Sequence, residues 1–414
     1  METAMIRLSR KAVRLMVFVL LIGLLMQPSS RLRAEEDGPG NTPWYEPISF
    51  EVVYTGEIWG NVRGGVERDA RYLDNLDLML TVPSDSLGYD GGTFFFYVLH
   101  NNKKTFSDIV GDLQVVSNID NDRIWRIFEA WYEQRLLDDR LGLKLGFMDL
   151  NSEFDAIDPA GLFILSSHGI GPDYSQTGAA GPSIFPLSMA GVRVDYRFSD
   201  RVLVRVAAFD AVPGTRSHPR RAAIKLGDGE GALLAAEIDT EPVDGLRFVV
   251  GGWAYTARFE GIEASLGLPA PSHHGNNGVY AFAHGPLYRE PGSEQQGIDA
   301  WIRFGIADGR INQLDQYLGA GLVYTGPFSG RDDDQLGLAV AVARNGDTFR
   351  RNAALVGAPV DRREINVEMT YRAQLTDWLA LQPDLQYIVH PGTDPGLRNA
   401  IALGLRFEIG FQPF

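Results

Sequence analysis

The chain has 414 residues, 38 basic against 53 acidic side chains, a net charge of −15, 46 Gly and no Cys. The missing Cys excludes disulfides, zinc–thiolate centres and thiol nucleophiles together. The acidic balance makes nucleic acid a poor partner, and the length suits either two or three soluble domains or one large barrel.

In chain order, residues 1–34 read as a cleaved secretory signal. Arg7, Arg10, Lys11 and Arg14 precede an apolar run at 15–26, and Leu32-Arg33-Ala34 offers a cleavage site. Those twelve apolar residues form about 18 Å of helix, short of the ~30 Å hydrocarbon core. The mature chain then carries −20. Residues 35–49 form a short lead-in, and 50–414 one all-β domain.

Strand-like runs follow at 50–60, 70–82, 92–100, 123–136, 141–149, 187–198, 201–210 and 231–239. The second half supplies 245–258, 277–289, 297–306, 315–326, 335–343, 363–373, 378–388 and 398–411. Most of these sixteen runs have the length of a tilted bilayer-crossing strand. Their connections alternate, one set averaging about 18 residues and the other under 6. Long and short ends alternating along an even number of strands predict a transmembrane antiparallel β-barrel of 16 strands, with long extracellular loops and short periplasmic turns.

The side chains alternate as well. In 363–373, Ile365, Val367, Met369 and Tyr371 oppose Glu364, Asn366, Glu368 and Arg372. Strands cross lipid only as a closed barrel, so the apolar parity faces outward and the polar parity faces a wet lumen. Tyr196, Phe198, Tyr324, Tyr371 and Phe411 fall near strand ends, where aromatic girdles belong. Arg126 lands on the lipid parity, which places it at headgroup level.

At Phe128-Glu-Ala-Trp-Tyr-Glu-Gln134, Gly146-Phe-Met-Asp-Leu-Asn151 and Phe154-Asp155, the chain resembles the carbohydrate-selective porin family, the OprB family. Leu76-Asp-Leu-Met-Leu80, Gly330-Arg-Asp-Asp-Asp-Gln-Leu-Gly-Leu338 and Tyr371-Arg-Ala-Gln-Leu-Thr-Asp-Trp-Leu-Ala-Leu-Gln-Pro-Asp-Leu-Gln-Tyr387 add to the likeness, which runs from about residue 45 to the end. The resemblance implies a barrel with inward-folded loops that admits sugars by passive diffusion in the outer membrane of a Gram-negative bacterium. Two departures stand out: Gln-Pro-Phe follows Phe411, and no N-terminal surface-layer domain is present. The implied partners are small neutral saccharides, membrane lipid, and the barrel-assembly machinery through the last strand ending at Phe414, with a monomer or homotrimer as the assembly. A general or ion-selective diffusion pore without a sugar site is the rival reading.

Sugar hydroxyls suit carboxylates and Arg forks, and a sugar ring face suits Trp. The lumen parity supplies Glu57 and Trp59, Asp77, then Glu129, Trp131, Glu133 and Arg135. Further on it supplies Arg193, Asp195 and Arg197, the trio Asp299, Trp301 and Arg303, and Glu364 with Glu368. For any single residue, wall packing is an equal expectation. The loop 150–186 offers Asp149, Asn151, Asp155, Asp158 and His168 for a constriction. Asn118-Ile-Asp120-Asn-Asp122 reads as a solvated turn rather than a calcium loop, as does Asp332–Asp334. No cofactor is expected. Neither G-x-S-x-G nor H-E-x-x-H occurs, seven His are scattered, and 35–49 is too short for the plug of a larger transporter. An enzyme is not expected.

Overall fold

The computed structural model describes residues 48–102, 105–212 and 230–412. The signal segment, nearly all of the lead-in and Phe414 lie outside the described residues. Sixteen strands follow one another: β1 (Ser49–Arg63), β2 (Ala70–Pro83), β3 (Gly92–Asn101), β4 (Ile124–Leu136), β5 (Leu141–Met148), β6 (Met189–Ser199), β7 (Val202–Asp210) and β8 (Ala232–Val243). Then come β9 (Leu246–Glu260), β10 (Ser272–Arg289), β11 (Gly297–Ala307), β12 (Leu314–Thr325), β13 (Gln335–Asn345), β14 (Arg363–Thr376), β15 (Leu379–Val389) and β16 (Ala400–Phe411). Each pairs antiparallel with the next, and β16 returns to β1 in a closed barrel. Closure leaves no strand edge, the condition for carrying backbone polar groups through lipid.

Alternation sorts the two faces as the sequence predicts. Leu336 and Leu338 are exposed on the outside of β13, while Ala339, Ala341 and Ala343 are buried inside. Phe198, Tyr324, Tyr371, Trp378 and Phe411 gather at the short-turn end, where Trp378 stacks on Phe411 at 6.2 Å. Asp334 is not a solvated turn residue. It is 1 % exposed and accepts from Arg331 at 2.7 Å, from the Gln374 N–H at 3.0 Å and from the Tyr371 hydroxyl.

Two local features escaped the alternation rule. Strand β10 starts at Ser272 rather than 277, because the polar run Ser-His-His-Gly-Asn-Asn carries no apolar parity to announce it. Strand β4 carries a bulge, the pairing passing from Tyr97↔Glu129 to Val98↔Ile127. One extra residue flips the parity upstream. Trp125 and Ile127 are therefore exposed on the outer wall, while Arg126 and Phe128 are buried within. The lipid-facing placement of Arg126 is thus corrected: its guanidinium donates to the Ser188 carbonyl at 2.7 Å.

The core lies inside the barrel, made by two loops folded inward. The β3–β4 loop packs Phe106, Ile109, Val110 and Val116 against Trp59, Leu73, Ile388 and Ala402. The β5–β6 loop packs Phe154, Ile157, Phe163 and Tyr174 against Leu233, Trp253, Tyr280 and Trp301. Small wall residues make the room. A Cβ on Gly404 would lie 2.6 Å from the Trp59 ring, and one on Gly337 2.8 Å from Leu162.

Candidate functional site

Inward-pointing carboxylates hold these loops by their main chain. Glu364 accepts the Leu113 N–H at 2.9 Å, the Gln114 N–H at 3.1 Å and the Gly392 N–H at 2.6 Å. Glu368 accepts the N–H groups of Ile164 and Leu165 at 2.6 and 3.1 Å. Glu129 accepts from Asp149 N–H at 3.0 Å, and Glu237 from Asp155 N–H at 2.7 Å. Wall amides complete the pattern from the other side, Gln382 donating to the Leu162 carbonyl and Gln386 to the Val116 carbonyl, at 2.7 and 2.8 Å. A loop inside a barrel must satisfy its backbone polar groups without water, and the alternating wall places acceptors and donors at that depth.

Arg303 is the charged centre of this packing. Its fork meets Asp155 with Nη2 at 2.6 Å and Asp173 with Nη1 at 2.6 Å, and both carboxylates are fully buried. The guanidinium also lies over the Tyr280 and Tyr317 rings at 5.5 and 5.2 Å. His168 sits beside this cluster, edge-on to Trp301 at 5.2 Å and 3.6 Å from Glu368. Burial pushes its imidazole down to about 3, so it stays neutral and its contact with Glu368 is no ion pair.

Several expected pore-lining residues are therefore covered. Trp59 and Glu57 are fully buried, Trp59 stacked under Phe106 at 5.6 Å and donating to Glu57 at 2.6 Å. Trp301, Arg303, Glu364 and Glu368 point inward as expected but lie beneath the loops, where no solute reaches them. Glu129 is 7 % exposed and committed to the Asp149 N–H and the Trp131 indole. Asp120 likewise serves its own loop, accepting the Phe106 and Ser107 N–H groups at 2.7 and 2.8 Å.

Open space remains along the other half of the wall, from β4 to β9. A cavity of about 700 Å³ there is lined by Glu133, Arg135, Arg193, Asp195 and Arg197, all among the candidates named from the sequence. Lys144, Glu153, Arg205, Asp239 and Arg247 join them. Parity alone would have found Lys144, Arg205 and Asp239, which sit between outward residues such as Leu143 and Leu145. The charges form a ladder. Arg193 meets Glu133 at 3.2 Å, Glu153 of the β5–β6 loop at 2.5 Å, and Asp195. Arg135 bridges Glu133 at 2.7 Å and Asp195 at 2.9 Å. Arg247 holds Asp239 at 2.9 Å and donates to the Ala156 carbonyl at 3.1 Å. Seven basic and seven acidic side chains line this space, a surface of many donors and acceptors with little net charge.

Trp131 borders the ladder half-buried, with neighbours already against its ring. Phe95 from β3 stacks on it at 5.0 Å, and the Lys144 ammonium from β5 lies 3.9 Å from the ring centre. Since β3 and β5 flank β4 on opposite sides, the indole has a neighbour from each. Asp77 accepts from Tyr97 at 2.7 Å and Asn75 at 2.5 Å, and Asp299 pairs with Arg289 at 2.7 Å near the short-turn end.

A family model described as the carbohydrate-selective porin, OprB family, matches residues 67–411. Porin B of Pseudomonas aeruginosa is 26% identical over 424 residues, covering 93% of this chain and 92% of that protein. Putative porin QuiX of Acinetobacter baylyi is 21% identical over 312 residues, 70% of each chain. Among solved structures, the high-pH structure of Pseudomonas putida OprB superimposes with a TM-score of 0.79 at 25% identity, covering 88% of this chain and 94% of that one. The low-pH structure gives a TM-score of 0.57 at 20% identity, a likeness of fold.

Proposed function

This chain belongs to the carbohydrate-selective porin family and is an outer-membrane diffusion channel for carbohydrates, and we propose that neutral mono- and disaccharides cross it along the β4–β9 wall. The supporting observation is the near-neutral ladder of Arg and carboxylate side chains lining the 700 Å³ cavity, a size suited to small solutes. A sugar exchanges one water-like hydrogen bond for the next along such a wall. Each is worth about 1 kcal/mol net, so no single stop holds the cargo. Arg135, which bridges Glu133 and Asp195 and keeps 36% of its side chain exposed, is the rung we assign to the sugar contact.

The test is ion current through the mature chain in a planar bilayer. Glucose or a disaccharide is expected to block the current reversibly at millimolar concentration. Arg135→Ala is expected to weaken that block roughly fivefold, equivalent to about 1 kcal/mol, and to shift selectivity toward cations as Glu133 and Asp195 each lose one basic partner. Strong ion selectivity with no sugar block would overturn the sugar path and leave an ion-selective pore.

The crowded indole changes what Trp131 does. The sequence alone suggests a stacking platform, and Trp131→Ala then lowers sugar affinity by roughly 3–10-fold. With Phe95 and Lys144 already against the ring, we expect the change to stay below about threefold. A larger loss of glucose block in the folded variant would return Trp131 to the sugar path.

A further inference from the structure

The outer wall carries a groove of about 410 Å³ at the long-loop ends of β11 to β14. Its lining comes in two rows set by strand register. Phe304, Leu318 and Val342 stand opposite one another across β11, β12 and β13. Two residues further toward the loops, Gln316, Arg344 and Arg363 make the next row across β12, β13 and β14. Successive side chains on one strand face lie about 6.6–7 Å apart, so an apolar floor gives way to a cationic edge within one step.

Charge is out of balance at that edge. Arg344 is compensated by Asp315 at 3.0 Å and Asp347 at 2.9 Å. Arg362 and Arg363 are exposed, and neither enters an ion pair among the described residues. Arg363 also stands directly opposite Arg344. Like charges placed so repel, which destabilises the pair unless an anion lies between them. In a chain of net charge −15 such a site is not background.

We propose that this groove seats a phosphorylated lipid of the outer leaflet, with a phosphate held by Arg362 and Arg363 and an acyl chain along Phe304, Leu318 and Val342. Arginine forks match phosphate oxygens in pairs, and basic pockets at the membrane surface take anionic headgroups. The apolar row directly below the charges selects a lipid over a soluble anion.

The experiment adds bis-phosphorylated lipid A to the detergent-purified mature chain and counts bound lipid by native mass spectrometry. The wild-type chain is expected to retain lipid A. Arg362→Glu with Arg363→Glu should lose it at least tenfold, and Arg362→Gln with Arg363→Gln at least threefold. Dephosphorylated lipid A should bind at least tenfold more weakly, and equimolar inorganic phosphate should not displace the lipid. Heat-modifiable migration and glucose block should stay unchanged, since neither arginine lines the pore. Retention by the folded Gln variant equal to wild type, equal binding of the dephosphorylated lipid, or displacement by inorganic phosphate would each overturn the proposal.

Discussion

Arg303→Ala is expected to unseat the β5–β6 loop while leaving the barrel wall intact. The substitution strands Asp155 and Asp173, both fully buried and both bonded to the lost fork. Breaking a buried pair from one side costs about 3–5 kcal/mol, because the partner charge stays behind without compensation. The wall is a closed ladder of backbone hydrogen bonds and does not depend on the loop. Single-channel conductance should therefore rise and become noisy, sugar block should vanish, and heat-modifiable migration should persist. Replacing all three residues together, Arg303→Met with Asp155→Leu and Asp173→Leu, should restore much of the docking by removing the stranded charges. Wild-type conductance in the single variant would show that apolar packing alone seats the loop.

Glu364→Ala should have the second largest effect, on the other side of the lumen. It orphans the N–H groups of Leu113, Gln114 and Gly392 in one step. A buried donor left without a partner costs about 1–3 kcal/mol; two of the three lie in the β3–β4 loop and the third, Gly392, in the β15–β16 connection, so both segments lose an anchor. Amide hydrogen exchange should speed up across residues 105–123, with little change in the strands. Glu364→Gln keeps one carbonyl acceptor and should fall between. Unchanged protection of Leu113 and Gln114 in the Ala variant would disprove the anchoring role.

The strands were legible because lipid outside and side chains inside impose a period of two on every crossing segment. The loop parity was legible for the same reason, and so was the inward direction of Arg135, Arg193 and Asp195. What stayed hidden was the meaning of the small inner residues. Gly337, Ala339 and Gly404 read as featureless lumen positions, yet each leaves space for a loop side chain or for Trp59. Glu364 and Glu368 carry no mark separating a ligand-facing carboxylate from one that accepts main-chain N–H groups. The donors belong to the backbone, which every residue type possesses, so the loop sequences at 113–114 and 164–165 show no complement. The β4 bulge was equally silent, and it alone reversed the placement of Arg126.

Glu57 and Arg406 face each other across the seam where the first and last strands meet, with Nε and Oε1 2.6 Å apart. The partners are 349 positions apart in the chain, so no earlier stage of chain growth can bring them together. Ser117 donates to the same Glu57, and the Arg406 guanidinium donates to Asn118, both in the β3–β4 loop. Ring closure and the docking of that loop thus share one pair of residues. An order of assembly is expected from this: the Arg406 contacts with Glu57 and Asn118 form only once the first and last strands have met, so that part of the loop's seat is completed last.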